Sequence, residues 1–235
     1  MTRQIDISRA RFSRLAWEAI LNNSVTYEYR RRGLFQIGEG LEILRGKADY
    51  NTGSISNSSM WCIASVTRYF EPKVVAEVGT FIGKSTNAMA WAMHDYGGKF
   101  IFTCDHSNDI ELPKFEASSN CFIRQFPKTT STNMFNYLVN TNTKADMILL
   151  DGRLTSDDIE VLPYVVHDDT VIVLDDFEGT EKGVVNALNV MTQLKPVTHK
   201  LIYSPEPDLL AKHGLDDRCS IGLIIPNKLI GWTNQ

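Results

Sequence analysis

From Lys73 onward the chain alternates short apolar runs with stretches of helical spacing. The runs KVVAEVG (73–79), KFIFTCD (99–105), CFIRQ (121–125), ADMILLD (145–151) and TVIVLDD (170–176) read as strands. Most are nearly continuous in apolar residues, as strands covered on both faces are. Helices are expected over Lys84–His94, Thr132–Val139, Asp157–Val166 and Glu181–Met191. Each crossover helix must pack back across the sheet, so the predicted class is α/β, doubly wound and mostly parallel. Two further runs, HKLIYSP (199–205) and SIGLIIP (220–226), flank a loop at 204–219 with Pro205, Pro207, Gly214 and no clear helix. They complete a seven-stranded sheet with an antiparallel last strand, a Rossmann-like fold.

Upstream the pattern changes. Phe12, Leu15, Ala16, Ala19 and Ile20 recur at helical spacing among Arg11, Arg14 and Glu18, which predicts an amphipathic helix over 9–31. The polar, turn-rich segment 46–59 reads as a loop entering a helix at Met60–Tyr69. The expected organisation is a single domain over 1–235, with an N-terminal helical extension and cap loop at 1–58 and an α/β core at 59–235.

Composition narrows the function. With 43% hydrophobic and 22% charged residues the chain is an ordinary globular sequence. A net charge of −4 offers no broad basic field for a phosphate backbone, so nucleic acid is not an expected partner despite the local run Arg30, Arg31 and Arg32. Cys62, Cys104, Cys121 and Cys219 lack zinc-ligand spacing. No signal-peptide core or membrane-spanning run is evident, which predicts a cytoplasmic protein with no membrane partner.

The most informative stretch is Glu77-Val78-Gly79-Thr80-Phe81-Ile82-Gly83-Lys84-Ser85-Thr86, between a predicted strand and a predicted helix. A phosphate-binding P-loop needs four residues between its first glycine and the Gly-Lys pair, and here there are three. A dinucleotide fingerprint needs GxGxxG, and here Gly79 is followed by Thr80 and Phe81. An acid beside a phosphate cradle would repel its ligand, whereas S-adenosyl-L-methionine carries an ammonium and a sulfonium and no phosphate. Asp105 ends the next strand in an acid, placed for ribose hydroxyls, although that spacing alone also fits a dinucleotide. A plain strand-to-helix turn, with Glu77 paired to a lysine, is the structural alternative.

The motif EVGTFIGKST, followed in order by Asp105, LLDG at 149–152 and LDDF at 174–177, resembles class I S-adenosylmethionine-dependent methyltransferases. It is most similar to the catechol-O-methyltransferase-like and family-24 methyltransferases, over about residues 55–226. The resemblance implies that Glu77, Gly79, Phe81 and Ser85 surround the methionine part, that Asp105 meets the ribose, and that 128–131 lies near adenine. The cofactor-binding set it implies is Glu77, Gly79, Thr80, Phe81, Gly83, Ser85, Asp105, His106 and Asp151.

Asp151, Asp175 and Asp176 end two adjacent strands and can converge in one crevice. Three carboxylates together raise each other's pKa unless a cation compensates them, and magnesium is the expected hard cation for such oxygen ligands. The resemblance implies the same, since metal-dependent members of that family place an Asp, an Asp and an Asn or Asp at these positions. Alternatively, Asp175 and Asp176 cap a helix starting near Thr180. The lysine or histidine that those members carry three residues after the first Asp is Leu154 here. The general base is therefore unassigned, with Asp151, Glu178 and Glu206 as catalytic candidates and Arg153 too basic to serve. Trp61, Phe177 and Tyr203 are candidates for an apolar acceptor pocket or for core packing.

The resulting expectation is an enzyme that O-methylates a small hydroxylated acceptor with divalent-metal assistance. Three alternatives stay open: a metal-independent methyltransferase acting on nitrogen, a carboxylate or a sugar hydroxyl; a non-catalytic module retaining the fold; and a nicotinamide-dependent oxidoreductase. A homodimer paired through the N-terminal helix is a further expectation.

Overall fold

A computed structural model describes residues 2–45, 54–106, 121–177, 179, 182–194, 198–215 and 218–230. The N-terminal part forms two helices, α1 (Thr2–Ser24) and α2 (Glu28–Arg45), joined by a 3-10 turn at Val25–Tyr27. This corrects the single helix expected over 9–31. The break falls where the Ser24 hydroxyl donates back to the Ile20 and Leu21 carbonyls, at 3.2 and 2.9 Å, ahead of two β-branched residues. Back-bonding of that kind competes with the helical ladder. Helix α3 (Asn57–Phe70) starts earlier than its apolar residues suggest because Ser56 caps it, accepting from the Ser59 N–H at 3.0 Å. Of the expected loop, residues 46–53 lie outside the described residues.

The core alternates β1 (Val74–Val78), α4 (Lys84–His94), β2 (Phe100–Cys104), β3 (Phe122–Phe126), α5 (Ser131–Asn140), β4 (Met147–Leu150), α6 (Ser156–Val165), β5 (Val171–Leu174), α7 (Gly183–Gln193), β6 (His199–Ile202), α8 (Pro207–Lys212) and β7 (Gly222–Pro226). The sheet order is β3-β2-β1-β4-β5-β7-β6. Strands β1 to β5 are parallel, and β7 inserts antiparallel between β5 and β6. The strand that is last in sequence is thus the one reversed strand, while β6 at the edge runs with the others. Helix α8 corrects the expectation of a helix-free loop at 204–219. Its six residues, with Pro207 in the first turn and Leu209 and Leu210 buried, are too few for helical spacing to register.

Strand alternation divides the core between the two faces of the sheet. Val75, Met147, Leu149, Val171 and Val173 pack under α3 and α4, where Trp61, Ile63, Met89 and Met93 are buried together with Trp17, Ile20, Leu21 and Leu34 of the N-terminal helices. Ala76, Ile148, Leu150, Ile172 and Leu174 pack on the opposite face against Phe135, Leu138, Leu162, Val165 and Val190 of α5, α6 and α7. Complete burial of a side chain of this size is worth about 1.5–3 kcal/mol, so the N-terminal helices are integral to the first layer. The Trp17 indole N–H donates to the Tyr203 carbonyl at 2.6 Å and ties α1 to the end of β6.

Candidate active site

The strand order reverses between β1 and β4, whose outer neighbours are β2 and β5. In an open α/β sheet the crevice forms at this switch, outside the carboxyl ends of the strands. Here the chain leaves β1 at Gly79, with φ +96°, and the Gly79 and Thr80 N–H groups both donate to the Cys104 carbonyl. Across the switch, the Asp151 and Gly152 N–H groups donate to the Val78 carbonyl. The two strand ends are thereby held together around a cavity of about 250 Å³.

Gly79, Phe81, Asp105, His106 and Asp151, five of the expected cofactor set, line this cavity. Asp105 accepts the Phe81 N–H at 2.6 Å and so braces the glycine loop against β2. Thr129 and Ser131, from the stretch expected near adenine, line it as well. The buried Asp158 carboxylate positions that stretch by accepting the Ser131 and Thr132 hydroxyls, each at 2.8 Å, while also closing the capping box of α6.

The remaining members of the expected cofactor set do not line the cavity. Glu77 is fully buried and accepts the Ser85 and Thr86 hydroxyls, each at 2.5 Å. Burial pushes its pKa up to about 7, against the opposing pull of the Ser85, Thr103 and Thr86 hydroxyls. Thr80 is bonded to the Thr103 hydroxyl, and Gly83 is the N-cap of α4 at φ +81°. These residues shape the loop from beneath. Lys84 turns the other way: its buried ammonium donates to the Ile55 carbonyl at 2.7 Å and pairs with Glu42 at 3.0 Å. The Gly-Lys-Ser sequence therefore does not present its lysine to the crevice.

The three strand-end acids do converge. Asp151, Asp175 and Asp176 offer carboxylate oxygens within 4.8 Å of one another. Burial raises the pKa of Asp151 and of Asp175, with the Asp175 charge adding to the effect on Asp151 and the Ser220 hydroxyl, 2.8 Å from Asp175, opposing the effect there. The capping alternative is not what forms, since α7 begins at Gly183 without a side-chain cap bond. A cation is already among the acids. The Lys182 ammonium lies 3.0 Å from Asp151 Oδ1, 3.1 Å from the Asp151 carbonyl and 2.8 Å from Asp176 Oδ2. Burial works against its charge, but the Asp151 and Asp176 carboxylates prevail and raise its pKa above the ordinary lysine value.

Lys182 and Arg153 line the cavity but fall outside the set that the sequence suggests. The available sequence signal for Lys182 is a basic residue just ahead of the helix that follows an acidic strand end. Leu154 is buried in the core, its N–H held by Asn186 Oδ1 at 3.0 Å, so no basic side chain enters from that position. Of the other catalytic candidates, Glu178 lies outside the described residues. Glu206 is partnered with Arg14 at 2.5 Å at the head of α8 and does not line the cavity. Trp61 is buried in the core and Phe177 stacks on Tyr203 with ring centroids 5.8 Å apart.

A larger cavity of about 620 Å³ opens at the other end of the sheet, beside His167, His199 and Asn227. None of the sequence-derived site residues lines it, and it sits at the amino ends of the parallel strands, away from the switch. Among the described residues no helix is long and apolar enough to cross a membrane.

Comparison with solved structures agrees with this architecture. Cofactor-bound Rv0187 from MTB aligns at a TM-score of 0.56 and 13% identity, over 80% of this chain and 88% of its own. The methyltransferase PaMTH1 of Podospora anserina, solved with S-adenosylhomocysteine, aligns at 0.51 and 14%, over 80% and 86%. An O-methyltransferase from Bacillus cereus, in complex with the same compound, aligns at 0.50 and 13%, over 84% and 90%. No protein-family model and no curated protein sequence matches the chain. The chain has the class I methyltransferase fold.

Proposed function

We propose that this chain is an S-adenosylmethionine-dependent methyltransferase that acts on a hydroxyl of a small acceptor. The observation that carries the reading is the position of Asp105, just after β2 on the wall of the switch-point crevice and bonded to the glycine loop at the Phe81 N–H, with the one lysine of that loop turned away from the crevice. An acid at that strand end suits ribose hydroxyls, and a glycine turn that presents no lysine suits a cofactor without phosphate. When bound, S-adenosylmethionine supplies the methyl group and leaves as the neutral thioether, with one proton released per acceptor hydroxyl. Asp105 is placed to hold the ribose, Thr129 and Ser131 to border the adenine, and the Gly79 turn to admit the methionine part. Asp151, on the crevice wall beside Asp175 and Asp176, is the carboxylate placed to take the acceptor's proton and pass it to solvent. Proximity and alignment within the crevice supply the rest of the rate.

Magnesium, expected from the sequence, finds oxygen donors of suitable number and spacing here. Two of the three carboxylates, however, already face the ammonium of Lys182.

Calorimetric titration with S-adenosylhomocysteine tests the reading. Wild type is expected to bind, and Asp105→Ala to bind at least about tenfold more weakly, since a hydrogen bond to a charged acceptor contributes about 1.5–3 kcal/mol. Absence of binding by folded wild type refutes the proposal.

A further inference from the structure

We infer that Lys182 is the resident cation of the carboxylate cluster, standing where a divalent ion was expected, so that this site works without a metal. The inference rests on the methyltransferase reading for its catalytic meaning, but the geometry stands by itself. A lysine ammonium has three N–H donors. Here three acceptors surround it: the Asp151 backbone carbonyl and one carboxylate oxygen each of Asp151 and Asp176, two of the proposed metal ligands. A divalent ion held by Asp151 and Asp176 would sit beside the Lys182 ammonium that the same two carboxylates already bind, and two cations that close repel each other strongly.

The lysine is anchored where it stands. Gly183, the next residue, lies so close to the strand-end acids that a Cβ there would fall 2.4 Å from the Phe177 Cα and 2.5 Å from the Asp176 carbonyl oxygen. One turn further along α7, the buried Asn186 donates to the Gly152 carbonyl at 2.8 Å and accepts the Leu154 N–H at 3.0 Å. The start of α7 is thus bound to the segment after β5 and to the segment after β4, the two that carry the acids. Lys182 is held between them by the backbone on which it sits.

The arrangement bears on the acceptor. A hard divalent ion exchanges its waters for substrate oxygens and so favours acceptors with two adjacent oxygens. The Lys182 donors are all engaged by the chain itself, and chelation is not a recognition device here. The acceptor class that follows is one with a single reacting hydroxyl and no requirement for a vicinal partner. Lys182 is a positioning residue, holding Asp151 and Asp176 in place beside the crevice.

Electron paramagnetic resonance of free manganese(II), titrated with the full chain, reads the claim without turnover. Wild type is expected to leave the free-ion spectrum unchanged. Lys182→Met should bind manganese more tightly than wild type by on the order of tenfold or more, the effect one charge at this range has on an ionisation equilibrium. Lys182→Gln provides a second variant, and thermal melts establish that each is folded. Wild-type manganese binding that Asp175→Asn or Asp176→Asn abolishes overturns the inference. So does a folded Lys182 variant that binds no better than wild type. S-adenosylhomocysteine titrated into wild type without metal tests the methyltransferase reading separately, and a failure there leaves the manganese result intact.

Discussion

Replacing Glu77 by Gln isolates the energetic consequence of burying an ionisable group beneath the glycine loop. Glu77 has no solvent exposure, and burial raises its pKa from 4.5 to about 7 in the folded chain. Between these two values the folded chain holds a proton that the unfolded chain releases. The contribution of Glu77 to stability is therefore fully present below pH 4.5, where both states are protonated, and is lost as pH rises through 7. A displacement of this size corresponds to about 3 kcal/mol. Glutamine cannot titrate, so relative to Glu77→Gln the wild type should lose about 3 kcal/mol between acidic and mildly alkaline pH. For a chain of this length that is a relative change in Tm of about 6–12 °C. Melts of ligand-free wild type and variant by circular dichroism, at closely spaced pH values from mildly acidic to mildly alkaline, would show the gap between them moving in the variant's favour. A gap that stays constant with pH refutes the reasoning. A wild type that gains on the variant as pH rises would mean that the three hydroxyls outweigh burial and hold Glu77 ionised throughout.

Two further substitutions separate the crevice from its supports. Gly79→Ala places a Cβ at φ +96°, 3.2 Å from the Asp151 carbonyl carbon and 3.3 Å from the Gly152 nitrogen, between the strand ends that frame the cavity. A cost of about 1–3 kcal/mol follows, together with weaker S-adenosylhomocysteine binding, and an unchanged urea midpoint would contradict it. Lys84→Met removes a buried ammonium from the Ile55 carbonyl and Glu42. It should lower stability by about 2 kcal/mol and leave S-adenosylhomocysteine affinity within about twofold, whereas loss of binding without loss of stability would show that the lysine serves the crevice after all.

Much of the scaffold was legible because parallel strands buried on both faces must be nearly continuous in apolar residues. Runs such as MILL and VIVL therefore announce β4 and β5 directly. The acids Asp105, Asp151, Asp175 and Asp176 were legible for the complementary reason: each interrupts such a run at its carboxyl end, where the chain reaches the crevice. Local hydrogen bonding was less visible. The Ser24 back-bond that divides α1 from the following turn, and the six-residue α8, fall below the resolution of any periodic pattern.

Side-chain direction marks the boundary most clearly. Glu77, Ser85 and Lys84 belong to the motif that points to the cofactor, yet Glu77 and Ser85 bond to each other under the loop and Lys84 reaches toward α2. Lys182 sits in a polar stretch, FEGTEKG, where a lysine ordinarily reads as solvated surface. The sequence by itself determined the alternation of strands and helices from β1 to α7 and the acids at the strand ends, because both follow from burial and spacing along the chain. Only the tertiary structure decided that Lys182 meets those acids, because the close approach of Gly183 to Asp176 and Phe177 and the bridge from Asn186 to the segment after β4 bring together residues about 30 positions apart.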